Sequence, residues 1–118
     1  MDDSRPLFVQ IAERIENDIL TGALKEETQV PSTNEFAAFY RINPATAGKG
    51  VNLLVDDGLL YKRRGIGMFV SAGARDVLVM RRRETFRDEF LRPLIAEAAQ
   101  LGISEHQLAA MIRQETTP

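Results

Sequence analysis

The chain has 118 residues, 44% of them hydrophobic and 27% charged, and carries a net charge of −2. That length favours one main domain with room for a modest helical appendage, and that balance excludes wholesale disorder. No apolar run approaches the roughly 18 residues of a membrane span, and the absence of cysteine removes disulfides and thiolate metal sites.

The start, Met1-Asp2-Asp3-Ser4-Arg5, is acidic and lacks an apolar core, so it does not read as a secretory signal; the expected location is the cytoplasm. Residues 6–21 are predicted to form a first helix. Pro6 suits its first turn. Phe8, Ile11, Ala12, Ile15 and Ile19 recur at spacings of three and four, which makes one apolar stripe. Gly22 is the expected stop, and Thr28-Gln29-Val30 reads as a short strand.

Ser32-Thr33-Asn34-Glu35 has the capping-box pattern, in which Ser32 accepts from the amide of Glu35 and Glu35 reaches back to the amide of Ser32. A short second helix over about 33–40 should bury Phe36, Ala37 and Tyr40. After the brief link Arg41-Ile42, Asn43 caps a third helix with Pro44 at its first position. Ala47, Val51, Leu54 and Val55 form the inward face of that helix, and Gly58 closes it. Residues 59–62 and 68–70 are expected as two antiparallel strands. Between them stands Arg63-Arg64-Gly65-Ile66-Gly67, whose glycines permit a tight reversal.

Residues 71–74 are small and mark a boundary, giving a domain over 1–72 and a tail over 73–118. The tail should be mainly helical from 75 to 101. Phe86, Phe90, Leu91, Leu94, Ile95, Ala98 and Leu101 share a wide apolar face, and Pro93 should kink the helix near its preceding turn. Gly102 ends this helix. Ser104 with Gln107 forms another capping box, which opens a last helix.

The predicted fold is mainly α with a small β-hairpin wing, in the order of a winged helix-turn-helix followed by C-terminal helices. In that arrangement the second helix braces the third, whose N-terminal half meets base edges in a DNA major groove. Placing the apolar residues of the third helix inward leaves Ala45, Thr46, Lys49, Asn52 and Leu53 outward. Ala45 and Thr46 offer methyl groups to thymine, and Lys49 suits guanine or a phosphate. Lys62, Arg63 and Arg64 at the hairpin tip suit phosphates. Gly48 and Gly50 each cost about 1 kcal/mol against alanine in a helix. A close approach of backbone to DNA or to another helix would account for them.

Charge is distributed in the same sense. Residues 1–29 hold seven acids against three bases, whereas residues 30–70 hold three acids against five bases. A phosphate responds to the local face rather than to the total. The net negative charge favours a second reading, a winged-helix module that binds protein or RNA and reads no operator. An enzyme has little to work with here. His106 is the one histidine and is expected to be exposed, and Gly65-Ile66-Gly67 lacks the helix that a dinucleotide site needs. Arg81-Arg82-Arg83 reads as a solvated helix face. The sequence names no cofactor, metal or effector ligand.

Several separated motifs in fixed order resemble the GntR family of bacterial transcriptional regulators. They are Pro6-Leu7-Phe8-Val9-Gln10-Ile11-Ala12, Ile19-Leu20-Thr21-Gly22-Ala23-Leu24, Val30-Pro31-Ser32, Glu35-Phe36-Ala37, Asp57-Gly58-Leu59-Leu60 and Arg63-Arg64-Gly65-Ile66-Gly67-Met68-Phe69-Val70. The short tail, with Phe90-Leu91-Arg92-Pro93-Leu94-Ile95 and Leu101-Gly102-Ile103-Ser104, is similar to that of the YtrA-like subfamily. So is Ile42-Asn43-Pro44-Ala45-Thr46. The resemblance implies a repressor that binds a pseudo-palindromic operator as a homodimer, with targets that are often transporter operons. It implies DNA contacts from Ser32, Thr33, Asn34, Asn43, Ala45, Thr46, Lys49, Lys62, Arg63, Arg64, Gly65 and Gly67, and pairing through the tail. The chain departs from the family pattern at Asn34, at Asn43-Pro44, at Gly48 and at Met68, where arginine, a Ser-Arg pair, arginine and threonine are common.

Overall fold

The computed structural model describes residues 4–118; the acidic start at positions 1–3 lies outside them. The described chain forms helices α1 (Leu7–Thr21), α2 (Thr33–Tyr40) and α3 (Pro44–Asp56), then strands β1 (Leu60–Arg63) and β2 (Gly67–Val70). Helix α4 (Ala74–Phe86), a π turn at Arg87–Leu91, α5 (Arg92–Gln100) and α6 (Glu105–Thr116) follow. It divides into two compact units, with the division after Val79.

In the first unit, the stripe of α1 is buried as the spacing requires: Ile11, Ile15 and Ile19 are essentially inaccessible. They pack against Ala47, Val51 and Leu54 of α3, against Phe36 and Ala37 of α2, and against Leu59, Leu60 and Val70 at the hairpin base. Pro6 stands at the N-cap of α1, one position before the helical turn expected for it.

Helix α2 opens on the full capping box. The Glu35 amide donates to Ser32 Oγ and the Ser32 amide donates to Glu35 Oε1, each at 3.1 Å. It ends on Arg41 in the left-handed conformation, φ 55°, and the Ile42 amide donates back to the Ala37 carbonyl at 3.0 Å. That reversal lets Asn43 start α3 at once, its Oδ1 accepting from the Ala45 amide at 2.8 Å. Ser32→Ala should therefore cost about 1 kcal/mol, read as a lower urea midpoint with unchanged slope.

The hairpin is tighter than the sequence suggests. Arg63 pairs with Gly67, so both belong to strands, and Arg64-Gly65-Ile66 alone make the reversal. Thr28-Gln29-Val30 contributes one bridge, Gln29 to Phe69. Hydrogen bonds from Val30 to Met68 and from Val70 to Thr28 line this segment along β2.

The first unit also runs beyond the boundary expected at 72. Ser71 donates to the Leu59 carbonyl, and Ala74 and Leu78 of α4 are core residues. Arg75 Nε donates to the Leu20 carbonyl at the end of α1, at 2.9 Å.

The second unit shows how proline acts inside a helical stretch. Pro93 lacks an N–H and its ring crowds the carbonyl four residues earlier. The ladder widens just before it: the Arg92 amide bonds to Arg87, five residues back, which makes the π turn. Ser104 and Gln107 form the expected capping box of α6. Ala98 is buried within the chain and is not part of the exposed apolar stripe, which comprises Phe86, Phe90, Leu94, Ile95 and Leu101. Leu91 is half-buried.

Candidate nucleic-acid interface

The three packed helices present one continuous surface made from two helix starts. Thr33, in the first turn of α2, approaches the middle of α3: a side-chain carbon at Gly48 would meet Thr33 Cγ2 at 3.5 Å. Ser32, Asn34, Asn43 and Ala45 are exposed around this junction, with Thr33 and Thr46 half-buried between them. The two starts differ in what they leave open: at α2 Ser32 Oγ takes the Glu35 amide, whereas at α3 Pro44 has no N–H and Asn43 already accepts from the Ala45 amide through its side chain and from the Thr46 amide through its carbonyl.

Gly50 has a different neighbour. A side-chain carbon there would lie 2.7 Å from the Phe8 carbonyl oxygen and 3.1 Å from Ile11 Cβ. The absence of a side chain lets α1 and α3 approach backbone to backbone. Of the two explanations for the glycine pair, close helix contact holds for Gly50.

Lys49 is exposed, as expected for the outward face, but it has a neighbour there. Because its neighbour Gly50 faces α1, its stem lies beside the α1–α3 seam, and Nζ rests 4.1 Å from the centroid of the Phe8 ring. Such a contact contributes about 0.5–1 kcal/mol at an exposed site, so a phosphate or base must compete with it. Asn52 and Leu53 are exposed farther along the helix.

The wing separates its cations by strand alternation. Tyr61 and Arg63 share a face with Phe69. The Tyr61 and Phe69 rings stack at 5.7 Å, and the Arg63 guanidinium lies 5.2 Å from the Phe69 centroid. Lys62 and Met68 share the opposite face. Arg64 stands in the reversal itself beside Gly65, and Lys62, Arg63 and Arg64 are all exposed. The Tyr61 hydroxyl donates to Glu27 Oε2 at 2.9 Å, and this bond to a carboxylate raises the phenol above its usual pKa.

Three contacts had no signature in the sequence pattern: Lys49 on Phe8, Tyr61 on Glu27, and Arg75 on Leu20. Each joins residues far apart in the chain, the last through the Leu20 backbone carbonyl, and only the first involves a residue of the apolar stripe of α1. Among the described residues no cluster of histidine and carboxylate side chains could hold a metal ion, and no helix is long and apolar enough to cross a membrane.

A recognition helix braced by a second helix, with a basic hairpin beside it, defines a winged helix-turn-helix regulator. Residues 7–70, more than half of the chain, match the bacterial regulatory proteins of the gntR family, and the chain belongs to that family. It is 28% identical over 111 residues to the HTH-type transcriptional repressor YtrA of Bacillus subtilis, covering 94% of this chain and 85% of that protein. A transcriptional regulator from Oenococcus oeni superposes with a TM-score of 0.82 at 25% identity, covering 99% of this chain and 96% of the other. The AraR DNA-binding domain, solved in complex with an operator, superposes with a TM-score of 0.52 at 31% identity, over 54% of this chain and 77% of that one. The chain is thus a transcriptional regulator, with relatives that are regulators rather than enzymes.

Proposed function

We propose that this chain is a repressor that binds a pseudo-palindromic operator as a homodimer in the cytoplasm. The observation that carries the reading is the junction of two capped helix starts, Ser32-Thr33-Asn34 and Asn43-Pro44-Ala45-Thr46, beside a wing bearing three exposed cations. In this reading Ala45 and Thr46 enter the major groove, and Ser32, Thr33, Asn34 and Asn43 fix the backbone on either side. Lys49 leaves Phe8 to reach the DNA. Lys62, Arg63 and Arg64 hold the flanking phosphates, and Gly65, where a side-chain carbon would meet nothing within 4 Å, lets the hairpin approach closely, whereas the corresponding space at Gly67 is filled by Gln29. The AraR domain complex and the repressor YtrA support this assignment by kinship.

The twofold pairing is assigned to residues 73–118. Phe86, Phe90, Leu94, Ile95 and Leu101 expose between 43% and 65% of their surface. A contiguous apolar stripe of this kind is unfavourable in water, and a symmetric copy covers it. The half-buried Leu91 lines its edge. Steric occlusion of a promoter is the simplest consequence of such a complex.

Substituting Lys62, Arg63 and Arg64 together by alanine should weaken binding to the duplex that the native chain selects from a randomised pool. The slope of log affinity against log salt should fall by about 2 to 3, since each lost phosphate contact removes about 0.9. An unchanged slope would remove the wing from the complex. A native chain that selects no duplex at all would defeat the operator reading.

A further inference from the structure

The tip of the wing is held from outside the wing. Gln29 lies in the segment that runs along β2, bridged to Phe69. Its side chain extends past Gly67, and Nε2 donates to the Ile66 carbonyl at 3.0 Å. Any side-chain carbon at Gly67 would sit 2.6 Å from that nitrogen, and Gly67 has φ 145°, which disfavours other residues. The missing side chain at Gly67 and the amide of Gln29 are therefore complementary parts of one fitting. The reversal has one further internal restraint, the Ile66 amide donating to the Arg63 carbonyl at 2.9 Å. A three-residue turn with one glycine inside it and another beside it loses much freedom on ordering.

We infer that Gln29 is a positioning residue for DNA binding: it fixes the wing tip so that Lys62 and Arg64 meet the duplex already ordered. The inference rests on the operator reading above and adds to it a residue outside the wing and outside both helix starts. Without the Gln29 bond the tip has to be ordered at the moment of binding, and that cost appears as lost affinity. One net hydrogen bond corresponds to about fivefold in an equilibrium constant.

The test uses the full chain and the duplex it selects from a randomised pool. Gln29→Met keeps the length and the backbone bridge but has no donor. Its expected effects are about fivefold weaker binding and about fivefold faster exchange of the Ile66 amide in the free protein. Exchange at Val70 should rise no more than exchange at Ile66, and the thermal midpoint should fall by no more than about 4–8 °C, the effect of losing one such bond in a domain of this size. In a chain that already carries Lys62→Ala, Arg63→Ala and Arg64→Ala, Gln29→Met should cause no further loss, because no wing cation remains to be positioned. Full additivity in that background, or native exchange at Ile66, would overturn the inference while leaving the operator reading intact. If the native chain selects no duplex, both fall together. If the chain with Lys62→Ala, Arg63→Ala and Arg64→Ala binds as the native chain does, the wing cations make no contact and the positioning role falls with them.

Discussion

A chain carrying Phe90→Asp and Ile95→Asp is expected to be monomeric by light scattering and to bind its selected duplex about 10² to 10⁴ times more weakly. Both side chains are more than half exposed on one stripe, and the Phe90 ring lies 5.8 Å from that of Phe86. Two carboxylates placed there would have to be desolvated when a second copy covers them, and each copy would bring its own pair. The loss in binding follows from connectivity rather than from any lost DNA contact. Two linked recognition helices make the second half-site contact nearly intramolecular, and the stated factor is what such linkage contributes. The first unit should melt as before, since neither residue belongs to its core. A chain that keeps its dimeric mass with both substitutions would place the pairing surface elsewhere.

The largest effect on stability is expected at Gly50. Gly50→Val should lower stability by about 3 kcal/mol, the upper part of the range for overpacking a closed interior. The obstacle is backbone: the Phe8 carbonyl, 2.7 Å from the new carbon, belongs to α1 and has no rotamer to change. Helix α1 must move off α3, and the contacts of Ile11 and Ile15 with Val51 and Leu54 loosen together. Gly48→Ala is the informative partner. Its nearest neighbour is a methyl group at 3.5 Å, an ordinary contact, so the gain in helix propensity, about 1 kcal/mol, should be realised. Urea midpoints that move in opposite directions for the two glycines would verify the helix spacing. A midpoint for Gly50→Val near that of native protein would show that the α1–α3 seam yields more than its geometry implies.

Much of the first unit could be read from periodicity. The stripe from Ile11 to Ile19, the capping box at Ser32 and the Asn43-Pro44 start each encode a local decision, and local decisions are visible in a linear string. The π turn was legible only as a kink, because the sequence shows that Pro93 breaks the ladder but not how the ladder is repaired. The reach of Gln29 to the wing tip depends on a pairing across 37 residues, which no local rule contains. Lys49 was placed by angle alone on the outward face. The structure turns it toward Phe8 because an aromatic face attracts a cation close enough to reach it, and helical wheels carry no account of neighbouring helices. Ala98 shows the same limit: it belongs to the apolar face of its helix, but its own chain already covers it.

The tie between Arg75 and the Leu20 carbonyl bears on how this reading head can be cut out and reused. A fragment ending in the small-residue stretch at 71–73 would discard Ala74 and Leu78, leaving a hole where two side chains complete the interior. The first compact unit ends at Val79, partway along α4, so a cut that keeps its interior whole falls inside a helix and not in the small-residue stretch before it.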